Sequence, residues 1–255
     1  MASFPTMSAN GPIQHEAWEM YVTATEEGTP CFVSFDLEAA QEDLTSTLKH
    51  CARVTIALKN PSPDGLPTPE ESERQYGLED AFCATLKKAK VRCRLVARLT
   101  YSGERELVFQ TDDRDKFVAT LKAWGESLTG EEIGLEEDAG WEYFDDVVRP
   151  GPDEWTWIAD RRAIEGLMEA GSDPNRPHVL EYVFLGDDGK LEQVRNKLME
   201  NGYDIVSGPE NGTLVMSVKS KLDLNTIFEH SLANRALAEE HDVDCDGWGA
   251  AVVTE

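Results

Sequence analysis

Cysteine is scarce. The five thiols, Cys31, Cys51, Cys83, Cys93 and Cys245, are odd in number and include no C-x-x-C pair. A disulfide scaffold and the common zinc sites are therefore unsupported, and reduced thiols in a cytoplasmic protein fit best. Positive charge is also short: 24 Lys and Arg stand against 49 Asp and Glu, for a net charge of −25. Phosphate contacts need Lys and Arg, so a general nucleic-acid binder is disfavoured, and so is binding to anionic lipid. No apolar run approaches the 18 residues of a membrane span, and the start lacks a basic region followed by an apolar one. His15, His50, His178, His230 and His241 show no H-x-x-H or H-E-x-x-H spacing, so each reads as structural. There is no G-x-S-x-G elbow, no G-x-x-x-x-G-K-S/T loop and no G-x-G-x-x-G fingerprint.

What remains is an acidic globular chain. At 255 residues, 40% hydrophobic, it is long enough to bury a core without disulfides or a structural metal. The acid is shared: residues 1–150 carry 28 acidic and 15 basic side chains, and residues 151–255 carry 21 and 9. Such a surface suits a basic protein partner or mimicry of a polyanion.

The clearest seam is Arg149-Pro150-Gly151-Pro152-Asp153. It divides the chain into expected domains at 12–149 and 154–255, with the first ten to fifteen residues frayed. In the second domain the pattern predicts a helix over Trp155–Ala170 and a strand over His178–Leu185. A helix follows, capped by Asp187-Asp188-Gly189 and ending at Asn201-Gly202. Strands at Tyr203–Ser207 and Thr213–Val218 flank the turn ending in Asn211-Gly212. A helix from Leu222 or Asp223 to Glu240 or His241 and an extended Asp242–Val253 complete it. After the first helix the order is β-α-β-β-α-β, the split βαβ of a ferredoxin-like plait. The first domain repeats it from residue 52, after a candidate hairpin of Trp18–Thr25 and Pro30–Asp36. Strands at Arg92–Thr100 and Glu104–Thr111 pair across Ser102-Gly103, helices cover Glu70–Ala89 and Asp112–Trp124, and one or two extended pieces occupy 131–147. The expected fold class is α+β: two tandem α/β plaits, antiparallel sheets with helices on one face.

Three groups of residues invite a chemical reading. Asp242-Val243-Asp244-Cys245-Asp246-Gly247 is the front half of a calcium loop, but its twelfth position is Val253, not Glu, and a period-two strand explains it better. Lys87, Lys88, Lys90, Arg92, Arg94 and Arg98 form the concentrated basic run. In the strand reading Arg92, Arg94 and Arg98 share a face, either for an anion or RNA or, as the better reading, to offset nearby acids. Carboxylate pairs such as Asp145-Asp146 and Asp187-Asp188 are expected by chance in so acidic a chain.

The segment Gly166-Leu167-Met168-Glu169-Ala170-Gly171-Ser172-Asp173-Pro174, then Glu181-Tyr182, Asn201-Gly202-Tyr203 and the ending Val243-Asp244-Cys245-Asp246-Gly247-Trp248-Gly249, resemble the regulator of ribonuclease activity B family over about 155–252. That resemblance implies an acidic, cytoplasmic bacterial protein with a ferredoxin-like fold. It also implies one that binds an endoribonuclease, ribonuclease E, and inhibits RNA processing without being an enzyme. Trp18, Asp64-Gly65-Leu66-Pro67, Gly103-Glu104-Arg105-Glu106 and Trp141-Glu142-Tyr143-Phe144 make the first domain similar to a bacterial family of unknown function, DUF695, which implies no activity.

The expected function is therefore that of a non-enzymatic regulatory protein, with no cofactor, no metal, no membrane and no direct nucleic acid. Its partner would be a ribonuclease or another basic protein. The alternatives are a carboxylate-based hydrolase or nuclease and a structural, oligomer-forming module. The candidate partner-binding residues are Asp187, Asp188, Glu239, Glu240, Asp242, Asp244 and Asp246. Gly171, Asp173, Pro174, Gly247, Trp248 and Gly249 read as architectural, the last three bending the chain so that the indole covers the sheet edge or the end of the core.

Overall fold

The computed structural model describes residues 18–25, 27–41 and 46–254. The expected frayed start and His15 lie outside the described residues. The chain forms two compact units, 1–150 and 151–255.

The first unit runs β1 (Trp18–Ala24), β2 (Pro30–Asp36), α1 (Leu37–Gln41), β3 (His50–Ala57), α2 (Pro69–Lys88), β4 (Cys93–Tyr101), β5 (Glu104–Thr111), α3 (Arg114–Glu126) and β6 (Ile133–Ala139). Its antiparallel sheet has the order β1-β2-β4-β5-β3-β6. From β3 onward this is the β-α-β-β-α-β plait, and the β1–β2 hairpin extends it from four strands to six. Local chemistry starts the helices. Thr68 caps α2 by accepting from Glu71 N, with Pro69 in the first turn, and Asp113 caps α3 by accepting from Lys116 N. Phe82 and Leu86 of α2 and Phe117, Leu121 and Trp124 of α3 bury against Val54, Ile56, Leu107 and Phe109.

Two expectations change here. Of residues 131–147, only 133–139 are extended; Phe144–Val148 is a π-helical turn, which buries Phe144 and Val148. Trp141 is buried just before it and donates from Nε1 to Leu48 O at 2.8 Å, while Tyr21 Oη donates to Val148 O at 2.9 Å. The second face of this sheet is therefore closed too, by that turn, because Tyr21, Val33, Phe35 and Val108 present an apolar surface there.

The second unit runs α4 (Pro152–Glu169), β7 (His178–Leu185), α5 (Asp188–Glu200), β8 (Asp204–Glu210), β9 (Thr213–Ser220), α6 (Leu224–Glu240) and β10 (Asp244–Ala250). The antiparallel order β10-β7-β9-β8 is that of the split βαβ plait. Helix α4 starts earlier than the apolar pattern predicts. Pro152 occupies its first turn, and Glu154 accepts from Gly151 N at 3.1 Å, so part of the Pro-Gly-Pro seam is helical. Leu180, Tyr182 and Phe184 of β7 and Leu214 and Met216 of β9 meet Leu191, Val194 and Leu198 of α5 and Ile227 of α6 in one core.

Candidate functional site

The acidic residues singled out in the second unit come mostly to one corner, where the β7–α5 turn meets the end of α6 and the start of β10. The chains are tightly apposed there: a Cβ on Gly186 would lie 2.6 Å from Val243 Cγ1. Asp187 caps α5, its Oδ1 accepting from Gly189 N at 3.0 Å and Lys190 N at 3.3 Å. Asp188 accepts from Gly212 N at 2.8 Å and so holds the β8–β9 hairpin turn. Lys190 pairs with Asp242, which holds that carboxyl below its ordinary range. Glu239 faces Arg235 at 3.7 Å, one turn earlier on α6. Glu240, Asp244 and Asp246 are exposed. These side chains share an acidic edge, not a pocket, and several already support the fold.

The D-x-D-x-D-G stretch is a strand only from Asp244 onward; Asp242, expected to be extended, sits in the preceding turn with φ +51°. Val243 is buried and Cys245 packs on the core, while Asp244 and Asp246 point outward. Among the described residues no three His, Cys, Asp or Glu side chains gather to hold a metal.

Trp248 does more than cover an edge. A bulge between Cys245 and Trp248, with Gly247 at φ +92°, sets Trp248 opposite Tyr182 and turns its indole onto the core. Trp248 Nε1 donates to Asp160 Oδ1 of α4 at 2.7 Å, and Ser231 Oγ of α6 donates to the same oxygen at 3.0 Å. Asp160 is only 3% exposed, and burial pushes its carboxyl up to about 6, against the opposing pull of those two donors. Asp160 was missed by the pattern reading, although it lies one turn before Ile164 on the buried side of α4. Gly249 follows in extended backbone on β10.

The remaining motif residues are architectural. Gly171 has φ +98° just past the end of α4. Asp173 Oδ1 accepts from Asn175 N at 3.0 Å, and Pro174 O accepts from Leu222 N at 3.1 Å, which closes the turn into β7. His178 is buried with Nδ1 2.9 Å from Arg176 O; His230 Nδ1 lies 2.9 Å from Tyr203 Oη.

In the first unit the basic run splits. A bulge between Leu95 and Ala97 shifts β4 by one residue against β5, so Arg94 and Arg98 fall on opposite faces, not on one. Arg94 is buried and pairs with Asp36 at 2.7 Å and Glu38 at 3.3 Å. Arg98 pairs with Glu79 of α2 at 2.6 Å and stacks over Trp18 with 4.0 Å to the ring centroid. Exposed Arg92 has Asp112 at 3.9 Å. Offsetting acids is thus what Arg94 and Arg98 do. A further buried network joins Arg53 to Glu106 at 3.2 Å and Asp138 at 2.7 Å, with Tyr143 donating to Glu106. Burial raises Glu106, and its bonds with Tyr143 and Arg53 oppose that. An open groove of about 720 Å³ mixes Lys90, Arg92, Arg114 and Lys116 with Asp112, Asp113 and Asp115. His50 also lines that groove, and among the described residues no hydroxyl or thiol side chain lines it beside the imidazole.

Residues 16–148 match the model of a family of unknown function (DUF695), and residues 157–250 match that of regulator of ribonuclease activity B. The chain belongs to the first family through its first unit and to the second through its second. The second unit is similar to the regulator of ribonuclease activity B of Pseudoalteromonas translucida, 36% identical over 95 residues, covering 34% of this chain and 86% of that one. The corresponding protein of Pseudoalteromonas atlantica is 31% identical over 99 residues, covering 35% of this chain and 85% of that one. That of Escherichia coli is 32% identical over 98 residues, covering 35% and 71%. The regulator domain thus spans most of each relative, and the DUF695 domain is an addition to it. No helix among the described residues is long and apolar enough to cross a membrane.

Proposed function

We propose that this chain is a non-enzymatic binding protein that modulates a ribonuclease, specifically an endoribonuclease, in the cytoplasm. The observation that carries it is the kinship of the second unit with proteins named as regulators of ribonuclease activity, over 85–86% of the length of two of them. The contact runs along the acidic edge of Asp187, Asp188, Glu239, Glu240, Asp242, Asp244 and Asp246, against a basic surface of the enzyme. A net charge of −25 steers such a partner and repels RNA. A carboxylate hydrolase has less support. Among the described residues, the two buried carboxyls with raised proton affinity, Glu106 and Asp160, lie in different units, and each is already held by donors.

The test is a ribonuclease assay. Purified chain is titrated into a bacterial endoribonuclease cleaving a fluorescent single-stranded RNA. A saturable fall in initial rate, with no cleavage by the chain alone, is expected. An unchanged rate at saturating chain, or RNA cleavage by the chain itself, overturns the reading.

A further inference from the structure

The helices of the second unit lie on one face of its sheet, and the other face is bare. An antiparallel sheet with one solvated face ordinarily alternates apolar inward and polar outward. Strand β7 does not. Leu180, Tyr182 and Phe184 point into the core, but the outward residues include Val179, Val183 and Leu185, and Val179 and Leu185 are 44% and 36% exposed. Val183 pairs directly with Val215 of β9, whose neighbours Leu214 and Met216 are core residues. The bare face therefore carries an apolar patch of Val183, Val215 and Leu185, with Val179 beyond Glu181, and exposed apolar surface of this kind marks interaction sites.

Its border is acidic. Register places Asp244 of β10 opposite Leu185, and the bulge holding Asp246 and Gly247 opposite Val183. Glu181 lies between Val179 and Val183 on the same face. On the far side, Asp204 of β8 is opposite Ser217, and Glu210 is opposite Thr213. Lys219, paired with Val179, is the one cation these pairings bring to the face. The centre carries nothing bulky: Ser217 sits beside Glu181, and Gly249 across from Glu181 leaves the space over β10 empty.

We propose that this face is a docking surface for a cationic amphipathic polypeptide segment. Apolar side chains of the segment lie on Val183, Val215 and Leu185, and its Lys or Arg side chains reach Glu181, Asp204 and Asp244. This rests on the reading of the protein as a binder of a basic enzyme and extends the acidic edge, through Asp244 and Asp246, onto the sheet. Charge complementarity selects the occupant. A second copy of this face would set acids against acids, and a nucleic acid would set phosphates against them.

The test uses the full chain and a fluorescent 18-residue Lys/Leu peptide patterned as an amphipathic helix, with a scrambled peptide of the same composition. Anisotropy is read for the wild type, for Val183→Asp with Val215→Asp, and for Val183→Thr with Val215→Thr. The acidic pair adds two negative charges, so attraction to charge alone predicts equal or tighter binding, whereas docking predicts at least tenfold weaker binding. The threonine pair keeps size and strand preference, so it protects the test from misfolding; circular dichroism and the melting midpoint verify its fold, and several-fold weakening is expected. Glu169→Gln with Glu200→Gln, on α4 and α5, should change binding less than twofold. Wild-type affinity in both valine pairs, or equal binding of the scrambled peptide, overturns the proposal. The same variants in the ribonuclease assay separate the two readings. Inhibition that survives both valine pairs sinks the face and spares the regulator; lost peptide binding, with a wild type that inhibits no ribonuclease, spares the face and sinks the regulator.

Discussion

The indole of Trp248 donates to Asp160 at 2.7 Å and so ties β10 to α4. Ser231 of α6 completes the joint by donating to the same oxygen. Three elements far apart in sequence thus meet on one buried carboxyl, whose proton affinity the site raises.

That raised affinity has a pH signature. The unfolded carboxyl ionises near 3.8 and the folded one near 6, so the folded state holds the proton more tightly. The group is neutral in its effect below 3.8. Its ionisation penalises folding as pH rises through that window, and the penalty is complete above about 6. Asp160→Asn keeps an oxygen for Trp248 and Ser231 and does not ionise. Its stability relative to the wild type should therefore increase by about 1.5 kcal/mol between pH 5 and pH 8. Urea unfolding at the two pH values measures this; a constant difference would show that the carboxyl does not titrate there.

The arginines of β4 should separate by burial. Arg94→Ala leaves Asp36 buried without its 2.7 Å partner and should cost about 3–5 kcal/mol. Arg92→Ala, at an exposed pair, should cost less than about 1 kcal/mol. Thermal melts of the two variants decide it, and equal losses would contradict the split of the basic run by the bulge.

Association with the ribonuclease should be fast at low salt and slow at physiological salt, where screening shortens the reach of charge to about 8 Å. Changing Asp242, Asp244 and Asp246 together to Asn should lower the association rate several-fold and flatten its salt dependence. Stopped-flow mixing gives both. An unaltered salt slope would remove these acids from the contact.

Each unit has its own core, so fragments 1–150 and 151–255 should fold when produced separately. Cooperative melts and dispersed amide spectra are the expected result. A fragment that stays unfolded alone would show that its stability depends on the other.

What could be read from the chain was what local chemistry determines. Ser102-Gly103 and Asn211-Gly212 announce hairpins, and Gly171 ends a helix, because each acts within a turn of itself. The bulge in β4 was hidden because it is a property of the pairing with β5. The role of Asp160 was hidden because its partners, Ser231 and Trp248, lie 71 and 88 residues away. The bare face was hidden for another reason. The run Val179–Leu185 is apolar on both sides of the strand, and such a pattern ordinarily means burial on both. Only the sheet, with every helix on one side, shows which valines are left over.

The β4 bulge acts on the strand as an insertion acts on a reading frame. Were Val96 taken into a strictly alternating ladder instead of bulged out, every residue beyond it would change sides. Arg98 would leave Glu79 and Trp18 for the layer that holds Glu106, and Leu99 would take its place beneath α2. One residue thus lets a single strand deliver a cation to each of two layers.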